Sequence, residues 1–379
     1  MAKNIHILAS HHLEHDRSLR LGGLDVYIRD LATLLSEEGY IVFVHELSPF
    51  SSFNFLNEKG YRNIGYYCKN SESASKKSNR RLINLVKNSN YYRNNDLIIF
   101  STDYLSYGTS ENNSIAIQHG IAWDVPFNKK SIKNLLKRFF LFERKKSILQ
   151  SVSKMVCVDY NYLNWFKANY SFQPLLEKVF TIPNYAVLPL AYEKNINNPV
   201  NICFSRRFWK PRGTDILIGA IEDLSKKSFF KNIRFYISGS GNEENTLRQH
   251  LSHFQNVIFE KYESGNGVMY HMNKDIALIP TSGSEGTSLS ALEAMAAKCA
   301  VICTAVGGLS NIVIDGYNGL IIRPNGKDLA RAIESLVLNL DKRRFLQEKA
   351  YETIKYGFSK EKWNRAWISL IRSMEEIND

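Results

Sequence analysis

The sequence predicts an α/β protein built from two parallel-sheet domains, and three observations lead to that prediction. Short apolar strands alternate with amphipathic helical stretches along most of the chain, which is the pattern of a parallel sheet covered by helices. A length of 379 residues exceeds what one ordinary core occupies and suits two domains. Periodicity is lost over residues 185–200, so we predict a first domain at 1–184, an interdomain linker at 185–200 and a second domain at 201–358.

The first predicted unit contains a glycine pair at a turn. A strand at 5–8 is followed by a loop, the pair Gly22-Gly23, a helix at 24–35 and a second strand at 40–46. Strand, glycine turn, helix and strand form the unit of a parallel sheet whose first loop tolerates phosphate. The turn lacks Gly-x-Gly-x-x-Gly, which argues against a nicotinamide-type site. A plain tight turn is the alternative interpretation of the pair.

Four cations follow the first strand of the second domain. That strand is predicted at 201–204, and an apolar helix is predicted at 215–221. The cations between them are Arg206, Arg207, Lys210 and Arg212. Cations after a strand and before a helix N-terminus form an anion site, because guanidinium groups and free backbone N–H groups both favour negative charge. The alternative is a solvated basic turn.

A second anion-binding turn is predicted further along the chain. A buried strand at 276–279 leads through a loop of small residues into a helix rich in Ala, Leu, Glu and Met. Gly286, Thr287 and Ser288 would offer free backbone N–H groups at the start of that helix, where the helix dipole also favours an anion.

Two carboxylates, Glu285 and Glu293, flank this turn. An anion cradle with a carboxylate at either end suits a ligand whose phosphates lie between two hydroxyl-bearing sugars, which describes a nucleotide sugar. The alternative is that Ser290-Ala291-Leu292-Glu293 forms a capping box, in which Glu293 satisfies only the backbone N–H of Ser290 at the start of the helix.

These motifs resemble the signature of the family 4 glycosyltransferases, which have the GT-B fold. The resemblance lies in the stretch from Glu285 to Ala296, continues through 306–309 and 315–320, and extends with weaker matches over nearly the whole chain. It implies two Rossmann-like domains that face each other across a cleft, with the acceptor in the first domain and the donor in the second. It also implies that the helix at 359–379 packs back on the first domain.

The resemblance implies a reaction as well as a fold. The enzyme would transfer a sugar from a nucleoside diphosphate sugar to a glycan or lipid-linked acceptor, with retention of anomeric configuration and without a metal ion. The sequence contains no Asp-x-Asp, which agrees with a metal-free site. No cofactor is expected, and UDP is favoured over GDP as the nucleotide. The departing phosphate would take the proton of the acceptor, so no protein nucleophile is needed.

The resemblance also assigns roles to individual residues. Glu285 would orient the sugar, Glu293 would hold the ribose, and His119 would meet the sugar from across the cleft, although a structural role is the alternative for this histidine. Tyr262 would stack on the nucleotide base. The expected catalytic residues are Glu285, His119, Arg207 and Arg212. The expected donor-binding residues are Gly22, Gly23, Arg207, Arg212, Gly239, Tyr262, Glu285, Gly286, Thr287, Ser288, Leu289 and Glu293.

Three positions depart from the family pattern. The family has Gly-Arg, four residues and then Lys-Gly, whereas this chain has Arg206 at the first glycine and Arg212 in place of the lysine. Because arginine and lysine differ in reach and geometry, the phosphate contact made by Arg212 cannot be copied from the family. Asn311 stands where the family often has Glu.

The net charge of +12 is concentrated in two stretches of the first domain. Residues 129–154 hold nine basic residues against one acid, and the stretch forms a predicted helix with an apolar stripe. Such a helix either packs its apolar stripe on the core and exposes its basic face to water, or lies on an anionic membrane surface. The lysines expected outside the stripe are Lys133, Lys137, Lys145 and Lys146. The second basic run consists of Lys76, Lys77, Arg80, Arg81 and Lys87.

Localisation in the cytoplasm is expected, with the possibility of a peripheral position on the cytoplasmic face of the membrane. No run of eighteen or more apolar residues predicts a membrane span, and the start of the sequence turns polar too soon for a signal peptide. Five cysteines without metal-type spacing suggest reduced, buried thiols.

Three other functions were weighed against glycosyl transfer. The loop at 11–16 contains three histidines and two acids, but their spacing matches no zinc pattern, so no metal site is predicted. A nucleotide-sugar 2-epimerase of the same architecture would form product without an acceptor. A nucleic-acid-binding protein would interleave aromatics with its basic runs, whereas here the aromatics lie in apolar stripes, so no nucleic-acid partner is expected.

Overall fold

The computed structural model describes most of the chain, with short gaps in loops and at the termini. The described residues are 3–10, 12–18, 22–69, 75–121, 132–169, 174–190, 193–194, 198–262 and 265–378. The predicted fold class is confirmed, because the chain forms two sheets with helices packed on their faces.

The first sheet has eight strands in the order β3-β4-β2-β1-β5-β6-β7-β8. All neighbouring pairs are parallel except β3 and β4. The strands are β1 (Asn4–Leu8), β2 (Ile41–Ser48), β3 (Phe53–Leu56), β4 (Arg62–Tyr67), β5 (Leu97–Phe100), β6 (Ser114–Gln118), β7 (Lys154–Cys157) and β8 (Val179–Thr181). The helices between them are α1 (Gly23–Glu37), α2 (Lys76–Lys87), α3 (Ile132–Gln150) and α4 (Asn161–Asn169).

The second sheet has six parallel strands in the order β11-β10-β9-β12-β13-β14. The strands are β9 (Val200–Ser205), β10 (Ile233–Ser238), β11 (Val257–Glu260), β12 (Ile276–Ile279), β13 (Ala300–Thr304) and β14 (Leu320–Ile322). The helices are α5 (Thr214–Leu224), α6 (Glu244–Leu251), α7 (Gly267–Met272), α8 (Leu289–Ala296), α9 (Gly326–Leu338), α10 (Leu340–Gly357) and α11 (Lys360–Asn378).

The strand sequences explain why these sheets are covered on both faces. Every residue of β12 and of β13 is buried, and both strands are almost wholly apolar. A strand without alternation between apolar and polar residues has no face for water, so helices must cover both sides of it. The element order, with a helix directly after most of the described strands, supplies those helices.

Helix α11 follows the second domain but packs on the first. Trp363, Trp367 and Ile371 share one core cluster with residues of β1 and α1. The indole of Trp367 is fully buried, and its Nε1–H donates to the hydroxyl of Tyr27 over 3.0 Å. A buried indole needs such a partner, since an unpaired N–H in a core is costly. The core of the first domain therefore includes residues from the other end of the chain.

Two features of helix α3 differ from the predicted arrangement of its side chains. Lys145 was expected outside the apolar stripe, but it is fully buried and its Nζ lies 2.5 Å from an oxygen of Asp103, because a buried ammonium needs a counter-charge. Phe139 and Phe140 were expected within the stripe, yet they are 58% and 67% exposed. Residues 129–131 and the side chains at 132–138 lie outside the described part of the chain. Among the described helices, none is long and apolar enough to cross a membrane.

Replacing Trp367 by alanine tests the packing of α11. We expect Trp367→Ala to lower the free energy of unfolding by about 3–5 kcal/mol, because it removes a buried indole and leaves a cavity against Tyr27. Ser369→Ala, at an exposed position of the same helix, is the control. It should change the free energy of unfolding by less than about 0.5 kcal/mol. Urea unfolding followed by circular dichroism measures both. Equal stability of the two variants would contradict the packing.

Candidate active site

The two sheets point their carboxyl ends at a common cleft, and helix N-termini meet across it. A side chain placed on Gly23, the first residue of α1, would lie 3.1 Å from the Leu289 side chain at the start of α8. A cavity of about 370 Å³ opens beside this contact. Residues from both domains and from the linker line it, among them Val26, Tyr27, Asn184, Met269, Leu289 and Glu293.

Backbone contacts hold the two edges of the cleft close together. Gly120 has a φ of +117°, which favours glycine, and a side chain there would lie 3.0 Å from the Cα of Gly286. The hydroxyl of Thr287 donates to the Val158 carbonyl, and the amide of Asn184 donates to the Thr287 carbonyl over 2.8 Å. The loop that precedes α8 is therefore in direct contact with the first domain.

A second glycine pair supports this loop from the other side. Gly307 has a φ of +56°, and a side chain there would overlap the carbonyl of Glu285. The neighbouring Gly308 N–H donates to the same carbonyl over 3.0 Å. Since only glycine permits this approach, the pair fixes the backbone from which the Glu285 side chain extends.

The carboxylate of Glu285 lies between two arginines. One oxygen, Oε2, accepts hydrogen bonds from Arg206 Nη2, from Arg212 Nη1 and from the Thr281 hydroxyl at 3.1 Å. Arg212 also donates to the Ser284 carbonyl over 3.0 Å. Two guanidinium groups that share one carboxylate leave a net positive charge in a largely buried place. Such a place attracts an anion.

Arg206 lies in the candidate site, although the family resemblance assigned it no role. It was aligned with a glycine of the family motif, but the structure places its side chain within the site, 4% exposed, and bonded to Glu285. Arg207, which was expected at the phosphates, is exposed. Its contact with phosphate stays a prediction. Its place in the sequence could have indicated a site residue. Arg206 directly follows the last residue of β9, at the edge of the sheet where ligands bind.

The start of α8 leaves backbone N–H groups available. The capping-box alternative is wrong, since the N-cap is Ser288 and the hydroxyl of Ser290 donates to the Ser205 carbonyl over 2.9 Å. Ser288 itself makes no side-chain cap. Within the residues that the structure describes, the N–H groups of Gly286 and Thr287 find no protein acceptor. The helix dipole adds to their attraction for an anion.

Glu293 lies one turn inside α8 and on the wall of the cavity. Its carboxyl fills the space beside Gly267, where a side chain could not be accommodated. Burial raises the pKa of Glu293 to about 7, because the charged form is poorly solvated. Its carboxyl therefore keeps its proton to a higher pH than an exposed carboxyl does.

His119 follows β6 and lies at the cleft, as expected from the sequence. Its Nε2 lies 2.8 Å from the Ser101 carbonyl, which can only accept, so Nε2 carries the proton and Nδ1 has a lone pair. Burial lowers the pKa of His119, which keeps the ring neutral at pH 7. The ring of Tyr27 packs edge-on against it, with 5.1 Å between centroids.

The remaining predicted donor residues also lie at strand ends or helix starts. Gly22 is the N-cap of α1. Gly239 has a φ of +150° and leaves room for the Arg206 carbonyl, so the structure gives it a packing role. Tyr262 stacks on Tyr270 at 4.3 Å between centroids, which occupies one face of its ring. Contacts of these three residues with a donor stay predictions.

The loop after β1 is anchored to the first domain. Glu46 accepts the backbone N–H groups of His12 and Leu13 at 2.5 and 3.1 Å, and His12 Nδ1 lies 3.2 Å from an oxygen of Asp25. His11 lies outside the described residues. Among the residues that are described, no group of three or more His, Cys, Asp or Glu side chains could hold a metal ion.

Comparison with known proteins identifies the class of protein. A family model described as glycosyl transferases group 1 matches residues 192–353. An uncharacterized glycosyltransferase of Methanocaldococcus jannaschii is 30% identical over 255 residues, which cover 65% of this chain and 66% of that relative. The chain has the GT-B fold and is similar to glycosyltransferases. Two further relatives match over only 43% and 44% of their own length.

Solved structures show the same two-domain fold. The chain resembles a sucrose-phosphate synthase from Thermosynechococcus elongatus with a TM-score of 0.77, 17% identity and coverage of 99% of this chain and 100% of that one. It resembles HepE from Anabaena, in complex with UDP and glucose, with a TM-score of 0.72, 15% identity and coverage of 98% and 100%. Likenesses at such low identity establish the fold.

The raised pKa of Glu293 predicts how stability depends on pH. Because the folded-state pKa of about 7 lies above the reference value of 4.5, the folded protein binds a proton more tightly than the unfolded chain does. The stabilisation from protonated Glu293 is therefore fully present below pH 4.5 and is lost as pH rises through about 7. We expect the free energy of unfolding of Glu293→Gln to match that of the wild type near pH 4.5 and to exceed it by about 3 kcal/mol at pH 8.

Urea unfolding of both proteins across this pH range measures the difference. Glu348→Gln, an exposed carboxylate on α10, is the control and should give no such pH-dependent gap. If the difference in free energy of unfolding between the wild type and Glu293→Gln stayed constant across this pH range, the pKa of Glu293 would not be raised.

Proposed function

We propose that the enzyme transfers a sugar from a nucleoside diphosphate sugar to a glycan or lipid-linked acceptor, with retention of configuration and without a metal ion. The observation that carries this proposal is the pair of arginines around Glu285, next to the free N–H groups that precede α8. This arrangement suits a ligand that combines a diphosphate with a hydroxyl-bearing sugar. Assignment to family 4 of the glycosyltransferases belongs to the same proposal.

The donor would lie along the second domain, with its diphosphate between two groups of N–H donors. Arg207 and Arg212 would contact the phosphates together with the backbone N–H groups of residues 286–289. Glu293 would accept hydrogen bonds from the ribose hydroxyls, and the nucleotide would be UDP. HepE, which has the same fold, was solved with UDP and glucose. That observation supports UDP over GDP here.

The sugar would lie between Glu285 and His119. The carboxylate of Glu285 accepts hydrogen bonds from sugar hydroxyls, as does the lone pair on His119 Nδ1. The bond from the anomeric carbon to the phosphate oxygen breaks, and the acceptor oxygen bonds to the same face of that carbon. The acceptor proton goes to the departing phosphate. The arginines neutralise the charge that develops on the diphosphate, which is work that a divalent cation could otherwise do.

The acceptor would bind on the first domain, near an anionic membrane. The two basic runs meet there, because Lys76 Nζ and Arg144 Cζ both lie over the Tyr107 ring, 4.6 and 4.5 Å from its centroid. Helix α2 contains no acidic residue, and the exposed Phe139 and Phe140 lie on α3. Cations beside exposed aromatic rings suit the surface of an anionic bilayer. The proposal therefore places the enzyme in the cytoplasm, at the membrane, in the synthesis of a surface polysaccharide or glycoconjugate.

A donor screen without metal tests the reaction. In the presence of a chelator, we expect at least one nucleoside diphosphate sugar to release free nucleoside diphosphate. Glu285→Gln and Arg212→Gln should lower that rate by about 10²–10³-fold, because each removes a group that stabilises the transition state. The control is Arg248→Ala, since Arg248 pairs with Glu244 on the surface of α6.

Two results would contradict the proposal. If release of nucleoside diphosphate required added divalent metal, the metal-free route would be excluded. If Glu285→Gln released it at the wild-type rate, Glu285 would have no part in the reaction. An epimerised sugar nucleotide formed without any acceptor would instead identify a 2-epimerase. Determination of the anomeric configuration of the product by nuclear magnetic resonance tests retention.

Vesicle binding tests the membrane surface. We expect the enzyme to sediment with vesicles that contain phosphatidylglycerol and to remain in solution with phosphatidylcholine alone. Phe139→Ser combined with Phe140→Ser should weaken binding at least about tenfold, because two exposed rings no longer enter the bilayer. Phe345→Ser, an exposed phenylalanine on α10, is the matched control. Equal binding by the double variant and the control would contradict this surface.

A further inference from the structure

The linker between the two sheets is attached to the second domain at two points. Ala186 belongs to a core cluster of that domain, and its N–H donates to the Phe358 carbonyl over 3.0 Å. Further along the chain, the side chain of Lys194 reaches the ends of α7 and α8. Leu190 lies between these two points and is 96% exposed. Lys194 therefore fixes the far end of an exposed stretch of chain.

The ammonium group of Lys194 lies among backbone carbonyls. Its Nζ donates to the carbonyl of Met272 over 2.9 Å, to that of Ala297 over 3.1 Å and to that of Lys274. The carbonyl of His271 lies 3.4 Å away. An ammonium group has three N–H donors and no acceptor, so it meets more oxygens here than it has hydrogens. This arrangement is that of a coordinated cation rather than of a single hydrogen bond.

These carbonyls lie where two helices end. Met272 is the last residue of α7, and Ala297 is the C-cap of α8. The last carbonyls of a helix have no intrahelical N–H to accept from, and burying a carbonyl costs free energy unless another donor reaches it. The C-terminal end of a helix also carries partial negative charge. One cation placed where both helices end therefore satisfies both of them.

The surroundings of the ammonium group are buried. His271 and Cys299 are fully buried, and the Cys299 sulfur lies 3.8 Å from the Nζ of Lys194. Burial lowers the pKa of His271 to about 4, so its ring is neutral at pH 7 and does not repel a cation. A charge in such a place has to be solvated by oxygens of the protein, because burial separates it from bulk water.

We propose that the ends of α7 and α8 form a monovalent-cation site, which the chain fills with its own ammonium group, that of Lys194. The class of ligand follows from the oxygens, because backbone carbonyls carry no full charge and replace the water shell of K⁺ in selective pores. Ammonium and K⁺ have the same charge and a similar size. The bound ammonium group fastens the linker to the second domain. This inference does not depend on the proposed sugar transfer.

Removal of the charge tests the anchor. We expect Lys194→Met, which keeps the length of the side chain, to lower the Tm by at least about 5 °C, because charge-assisted hydrogen bonds are lost and the carbonyls stay buried. Lys355→Met is the matched control, since Lys355 is exposed in the last turn of α10. It should change the Tm by less than about 1 °C. Equal Tm values for the two variants, measured by circular dichroism, would overturn the inference.

Salts test whether the site takes a free cation. Lys194→Ala leaves the space of the side chain open. We expect its Tm to be at least about 3 °C higher in KCl or ammonium chloride than in choline chloride, each at about 0.2 M, because choline is too large to enter. The wild type and Lys194→Met, whose side chains fill the space, should differ by less than about 1 °C between these salts. No gain in Lys194→Ala, or an equal gain in the wild type, would overturn the cation site.

Acetylation of the folded wild type decides the matter if the variants do not fold. In a brief reaction with an N-hydroxysuccinimide ester of acetic acid, we expect Lys194 to be modified at least about tenfold more slowly than Lys355, because its ammonium group is enclosed. The two rates should become equal in urea, and peptide mass spectrometry measures both. If Lys194 reacted as fast as Lys355 in the folded protein, the inference would be wrong.

Discussion

One carboxylate oxygen shared by two guanidinium groups is the interaction on which the site depends. Glu285 Oε2 binds Arg206 and Arg212, which come from the segment after β9, while Glu285 itself belongs to the loop after β12. These strands are neighbours in the second sheet, so the ion pairs join two adjacent loops at its carboxyl edge. Breaking a largely buried pair leaves an uncompensated charge, which costs about 3–5 kcal/mol. The loops are therefore held in one arrangement before any ligand arrives.

Close backbone packing connects these loops to the first domain on the other side of the cleft. Gly286 lies against Gly120 and the His119 carbonyl, and Gly307 lies against the Glu285 carbonyl. Because no side chain separates these segments, a shift of one must move the others. The positions of Glu285 and His119 are thus set jointly by both domains, with glycines at the points where a methyl group could not be accommodated.

The sequence predicted the fold well because its signal is repeated. Strand and helix patterns recur along both halves, and each recurrence supports the same parallel-sheet arrangement. The loop of small residues before α8 was also predictable, since local features (the small residues and the following helix) determine it. Helix α8 nevertheless begins at Leu289 rather than after a cap at Ser290, and the hydrogen bond from Ser290 to Ser205 that decides this joins distant parts of the chain.

What could not be predicted depends on contacts between distant segments. Arg206 and Arg207 are chemically identical neighbours, and the enclosed one, Arg206, is paired with Glu285, which lies far along the sequence. Lys145 likewise belongs to a basic run, but Asp103 on another element draws it into the core. A single sequence shows charge and periodicity, whereas the pairing of charges across the fold requires the structure.

The packing of α11 on the first domain has a consequence for how the protein is made. Synthesis proceeds from the N-terminal side, so a ribosome completes β1, α1 and the rest of the first sheet long before it reaches Trp367. Until that indole arrives, Tyr27 lacks its hydrogen-bond donor and the cluster around β1 lacks one wall. The half of the enzyme that is translated earliest therefore matures last, and a nascent chain that stops before α11 is left with an exposed apolar surface for chaperones or proteases to recognise.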